Sequence, residues 1–210
     1  MKNAENLPQE QETGFDKFYE SKKKGLEQVL GEMHGVVGHS VIPFAVGGNV
    51  DMYYFCNHIP GTGFATLELL NDDGTGALPN CLGRYELVAF TRNPFSHQQD
   101  ARTAFNDIDR RFCQIFTIMG EYAKEAVLNP GETSELPSDD GQSVYLIFDH
   151  YQPADSRFMV GEKEHHLLLC LEIFQSEMEF SRKNGSVALF NKLKEAGHYP
   201  YSDLNRLPVI

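Results

Sequence analysis

The residues best equipped for chemistry are carboxylates and histidines embedded in apolar runs. Asp51 stands inside VDMYYF (residues 50–55), where an acid needs a partner to offset its desolvation. Glu172 and Glu177 flank the corner between HLLLCLEIF and SEMEFSRKNG. Paired carboxylates can do general acid–base work, but glutamates also suit the positive end of a helix dipole. The dipole is the simpler account of that pair, and anchoring the simpler account of Asp51. The eight histidines are His34, His39, His58, His97, His150, His165, His166 and His198, with no HExxH pair among them. His165 and His166 are adjacent at a strand start and so point to opposite faces, where one metal ion would not take both. Cys56 lies two residues before His58, but Cys–His dyads are assembled in space rather than in sequence. No GxSxG is present. The glycines of AVGGNVD, GTGF and GTGALPNCLG lead into strands, without the helix N-terminus that a phosphate needs. No catalytic residue, metal or cofactor is therefore expected. The leading expectation is a non-enzymatic binding protein. The alternative is a hydrolase-like enzyme using Asp51, Glu172 or a histidine.

These residues must be held by elements that periodicity reveals. Apolar residues recur every three or four positions from Phe15 through Phe18, Tyr19, Leu26, Val29 and Leu30 to Met33, predicting a helix over Gly14 to Met33. Lys22, Lys23 and Lys24 fall on its wet side. Strand-like runs follow at 41–44, 50–55, 64–70 and 85–90, separated by turn residues and close enough to pair antiparallel. A second helix is predicted over Ala101 to Val127, with Phe105, Ile108, Phe112, Ile115, Phe116, Met119, Ala123 and Val127 as its stripe. Gly120 is placed to loosen its end. GETSELPSDDG (131–141) reads as an acidic loop. Strands are predicted over Ser143 to Tyr151 and His166 to Phe174, the second apolar enough to be central and buried on both faces. Ser176 with Glu179 suggests a capping box for a short helix. Ser186 suggests a cap for the next one, and Gly197 suits its C′ position. The fold class expected is α/β (α+β), a mixed, largely antiparallel sheet packed with helices. Residues 1–13 are polar and expected to be a flexible segment, with one domain over 14–210.

The chain has 210 residues, 41% of them hydrophobic, with 15 Phe, 9 Tyr and no Trp, enough for a sizeable core. No apolar run approaches a membrane span, and no secretion signal is visible, so a cytoplasmic protein is expected. Cys56, Cys81, Cys113 and Cys170 sit among apolar neighbours with no CxxC spacing, and free thiols are expected. The net charge of −12 repels nucleic acid and anionic membrane and favours basic partners.

The C-terminal 45 residues, HLLLCLEIFQSEMEFSRKNGSVALFNKLKEAGHYPYSDLNRLPVI, read as one unit. A buried strand, SEMEFSRKNG, the helix VALFNKLKEAG and YPYSDLNRLPV follow in an order that resembles the end of the suppressor-of-fused (SUFU-like) domain. VGGNVDMYYF and YELVAFT also look like strands of that family. The resemblance covers Val37 to Ile210 and is to the N-terminal type of domain, as in short bacterial forms. It implies an α/β domain with a mixed sheet and no catalytic activity. Animal members bind a transcription-factor peptide as an added strand between two domains. Bacterial members have been proposed as immunity proteins of polymorphic toxin systems. The expected partner is therefore a protein, such as a basic toxin domain. The strand edge at Phe64, Thr66 and Glu68 is one candidate surface, by analogy with strand addition. The acidic loop with Glu132, Glu135, Asp139 and Asp140 is the other. Tyr199, Tyr201 and Leu204 are expected to pack the tail onto the domain, and Asp203 and Arg206, three apart, to pair across a turn.

Overall fold

The computed structural model describes residues 14–39, 44–96, 102–137, 143–153 and 157–210. The amphipathic start of the chain forms α1 (Gly14–Leu30). The helix stops short of Met33 because Gly31, at φ +81°, closes its last turn onto the Glu27 carbonyl. Met33 instead opens β1 (Met33–Gly38), its N–H donating to the Glu27 carboxylate at 3.2 Å. The sheet continues with β2 (Met52–Phe55), β3 (Thr62–Ala65) and β4 (Tyr85–Thr91). After α2 (Ala104–Glu125) come β5 (Thr133–Pro137), β6 (Ser143–Tyr151), β7 (Phe158–Val160) and β8 (Lys163–Ile173). The chain then forms α3 (Gln175–Asn184) and α4 (Ser186–Glu195).

The eight strands form one sheet in the order β1-β2-β3-β4-β8-β6-β5, with β7 pairing β8. Only the β4–β8 pairing is parallel among those described. The apolar run around Leu168 is the central strand, as its composition predicts. Alternation along β4 and β8 divides the core in two. Tyr85, Leu87, Leu168 and Cys170 face α2, whereas Val88, Phe90, Leu167 and Leu169 face α1, α3 and α4. Gly120 belongs to the first layer. A Cβ there would lie 2.9 Å from Asn49 Nδ2 and 3.2 Å from the Val50 methyls, so glycine permits close approach rather than loosening the helix.

Several local expectations are corrected. Lys22 is 1% exposed, not solvated. Its ammonium pairs with Glu86 and donates to the carbonyls of Leu67 and Leu70 at 2.6 and 2.5 Å. Beyond the end of β3 at Ala65, that capture and Leu69 N–H donating to Glu86 at 3.1 Å hold residues 66–70 together with backbone bonds from Thr66 N–H to the Leu87 carbonyl and from Ala77 N–H to the Leu69 carbonyl. Thr133–Pro137 is an edge strand on β6, not a loop. Phe44 begins a short 3₁₀ turn, and residues 41–43 lie outside the described residues. Val127 is exposed past the end of α2. Helix α3 starts one residue before Ser176, so its cap is Glu177 accepting the Phe174 N–H at 3.1 Å, and Glu179 instead accepts from Gln175. Ser186 is the first residue of α4 and makes no cap. Gly197, at φ +69°, follows the α4 C-cap as expected.

The tail is a wedge. The last parallel pair of β4 and β8 is Val88 with Leu169. Beyond it, Ser202 N–H donates to the Phe90 carbonyl at 2.8 Å, and the Ser202 hydroxyl accepts from Glu172 N–H at 3.1 Å. Asp203 accepts from Arg92 N–H at 2.8 Å and from the Thr91 hydroxyl, rather than pairing with Arg206. Arg206 reaches Glu177 with both terminal nitrogens, at 2.6 and 2.9 Å.

Candidate functional site

A concavity of about 700 Å³ lies between edge strand β1 and helix α2. Its floor is built from the α2-facing core layer. Val36, Phe95, Cys113 and Ile118 are partly buried side chains that border that layer and open into the groove. Tyr54 and Phe105 complete the floor, with ring centroids 5.0 and 5.3 Å from Phe95 at steep angles. Residues 105, 109, 113 and 117 are one i, i+4 row of α2, and all four line the groove. The row carries a carboxylate, Asp109, which accepts from the Tyr54 hydroxyl at 2.9 Å. Burial pushes the Asp109 carboxyl up, against lowering by Tyr54 and Arg110. Burial likewise pushes the Cys113 thiol up to about 11, with Asp109 and Asp51 adding to it. Such a thiol stays protonated and is a poor nucleophile.

The groups singled out for chemistry are engaged elsewhere. Asp51, which does not line the groove, accepts from Phe44 N–H at 3.1 Å and contacts His39 Nδ1 at 3.0 Å. Glu172 is 3% exposed and paired with Arg111 of α2 at 3.0 Å. Glu177 binds the tail. His58 meets the Tyr151 hydroxyl at 2.7 Å. His165 is buried against Phe158 and Phe18; burial, then Lys22 and Arg84, lower it to about 3, so it stays neutral. His97 lies outside the described residues. Among the described residues no group of three or more His, Cys, Asp or Glu is placed to hold a metal ion, and no helix is long and apolar enough to cross a membrane. Cys81 is exposed, unlike its expected apolar setting, whereas Cys170 is fully buried.

The two expected partner surfaces fare differently. Phe64 and Thr66 are 0% exposed and Glu68 is 7% exposed. Strand β3 has β2 on one side and β4 on the other, so it offers no edge to an added strand. That surface is corrected to interior: the apolar residues of the run are core, and Glu68 binds the Tyr53 hydroxyl and Asp51 N–H. Glu132 and Glu135 are exposed beside or on β5, an edge strand among the described residues. The Glu132 carboxylate is held by Asn129, from its N–H at 2.9 Å and its amide at 3.1 Å, leaving Glu135 the freer of the two. Asp139 and Asp140 lie outside the described residues.

Glu68 has a consequence for stability. Burial raises its carboxyl to about 7, with Glu86 and Asp51 opposing its charge and Tyr53 and Asp51 N–H favouring it. A raised acid favours the folded state below its ordinary value, and that contribution is lost as pH rises through about 7. Glu68→Gln, which resembles the protonated acid, is expected to be roughly 1–3 kcal/mol more stable than the parent at alkaline pH, with the gap closing in mild acid. Urea unfolding on both sides of neutrality checks this.

No family model matches the chain, and no curated protein matches it in sequence. Solved structures do match in shape. The chain is similar to the Sufu–Fu complex crystal structure, with a TM-score of 0.58 at 13% identity, over 93% of this chain and 92% of that one. It is also similar to the crystal structure of Drosophila Suppressor of Fused, with a TM-score of 0.52 at 13% identity over 82% of this chain. The match spans 45% of the Drosophila chain. The mixed eight-stranded sheet with its helices is thus a SUFU-like α+β fold.

Proposed function

We propose that this chain is a non-enzymatic protein-binding domain that captures a basic partner, as an immunity protein neutralising a toxin domain. The observation that carries this reading is the combination in the groove between β1 and α2: an apolar floor continuous with the core, a carboxylate on its wall, and a thiol held in its unreactive form. The similar structure is of Sufu in complex with Fu, which supports binding as the use of such a fold. The net charge of −12 favours fast association with a basic protein. Glu135, exposed on edge strand β5, supplies a negative approach surface. Nuclease toxins are basic where they grip phosphates, which suits a toxin partner.

The test is retention of proteins from the host lysate on the immobilised full chain, at low and at raised salt. Salt-sensitive retention of a basic protein is expected, weakened by Glu135→Lys. The reading is overturned if nothing is retained and a substrate screen finds turnover that Asp51→Ala removes from a folded protein.

A further inference from the structure

We infer that the groove between β1 and α2 receives a cationic and apolar segment of the partner protein, one apolar side chain entering beside Phe95 and Ile118 and a lysine or arginine settling on Asp109. This rests on the reading of the chain as a protein-binding domain. The apolar half of the argument is placement. Four partly buried side chains at the border of the α2-facing core, Val36, Phe95, Cys113 and Ile118, open into this one concavity. An incoming aliphatic or aromatic group would extend the core over them and remove that surface from water. The volume, about 700 Å³, accommodates several side chains.

The charge half is the state of Asp109. It is half-buried on the groove wall, and its hydrogen bond is from the neutral Tyr54 hydroxyl. Among the described residues no cation stands within ion-pair distance of it. Arg110, its neighbour, also lines the groove and lowers the Asp109 carboxyl, but its guanidinium is paired with Asp107 at 2.6 Å, and Arg111 is drawn to Glu172. A partly desolvated carboxylate without a counter-ion repels an anionic ligand and favours a cation beside the apolar floor. A lysine or arginine suits that place, since its long methylene stem lies along apolar surface while its head reaches the acid.

The probe is a set of three blocked tetrapeptides, Ala-Phe-Lys-Ala, Ala-Phe-Glu-Ala and Ala-Ala-Lys-Ala, titrated into the full chain and followed by amide chemical shifts. The first is expected to move Tyr54, Asp109, Cys113 and Ile118 saturably. The other two should bind at least about tenfold more weakly, as should the first peptide to Asp109→Asn, a difference of about 1.4 kcal/mol. Asp109→Asn keeps an acceptor for Tyr54 and should melt with the parent. The inference is overturned if the lysine and glutamate peptides bind alike, if the shifts fall on β5, or if none saturates. A basic partner retained undiminished by Asp109→Asn would also overturn it, while leaving the protein-binding reading intact. Retention lost on Asp109→Asn, with the fold kept, supports both.

Discussion

Deleting residues 199–210 is expected to abolish cooperative folding or lower the melting temperature by about 10 °C or more. The tail does three things. Tyr199, Tyr201 and Val209 cover the core layer that includes Phe190 and Leu193. Ser202 and Asp203 satisfy the diverging ends of β4 and β8. Arg206 and the Val209 N–H bind Glu177, which is 0% exposed. Burial alone would push the Glu177 carboxyl up, but hydrogen bonds from Arg206, Val209 and Phe174 outweigh it and hold the carboxyl below its usual range. A depressed acid stabilises the fold above its ordinary value, and the contribution is lost as pH falls through the depressed one. Removing one partner of a buried pair costs about 3–5 kcal/mol, a large part of a typical domain's stability. With ~1 kcal/mol moving the midpoint of a domain this size by about 2–4 °C, Arg206→Ala alone should lower it by several degrees. Leu207→Ala is the control, because Leu207 is 84% exposed and should change stability by less than about 0.5 kcal/mol. A deletion that melts like the parent, followed by circular dichroism, would return the tail to the status of an appendage.

Lys22→Met is expected to destabilise the protein by about 3–5 kcal/mol in urea titration, because it strands a buried Glu86 charge. Glu86 is 0% exposed and also accepts from the Thr66 hydroxyl at 2.7 Å and Leu69 N–H at 3.1 Å. The pair ties α1 to β4 and to the stretch that leaves β3, so its loss loosens three elements together. Adding Glu86→Gln removes the stranded charge but keeps an acceptor for Thr66 and Leu69. The double variant should therefore recover a large part of the loss, a non-additivity typical of contacting residues. Lys22→Met within about 0.5 kcal/mol of the parent would instead fit a solvated lysine.

These two cases mark where sequence reasoning reaches its limit. The stripe of α2 and the unbroken apolar run of β8 were legible because burial writes itself into residue type at periods of 3.6 and 2. The bounds of β6 were legible as well. Lys22 was not, because amphipathic spacing assigns any lysine in a basic triplet to water, and its partner is 64 residues away. The same distance problem hid the Arg206–Glu177 pair. β1 was hidden by its glycines and β5 by its glutamate and proline, both edge strands with little buried surface to shape their composition. In the groove, sequence reasoning placed Phe105 in the stripe of α2 but missed the row it forms with Asp109, Cys113 and Thr117, whose i, i+4 spacing is the signal that could have found it. The facing wall was not visible, since it comes from β1. The interior position of Phe64 follows from the neighbours of β3 in the sheet, and that of Thr66 and Glu68 from their bonds to Glu86, Tyr53 and Asp51, all distant in sequence.

The claim at the centre of this account is that the chain acts by holding a protein. Titrating the purified retained partner into the full chain in a calorimeter tests it most directly, because binding and turnover give different heat. The account predicts one-to-one saturation, with affinity falling at least about tenfold from low to raised salt as the charges are screened. Absence of heat, salt-independent binding, or a sustained heat signal from catalytic amounts of the chain would contradict it.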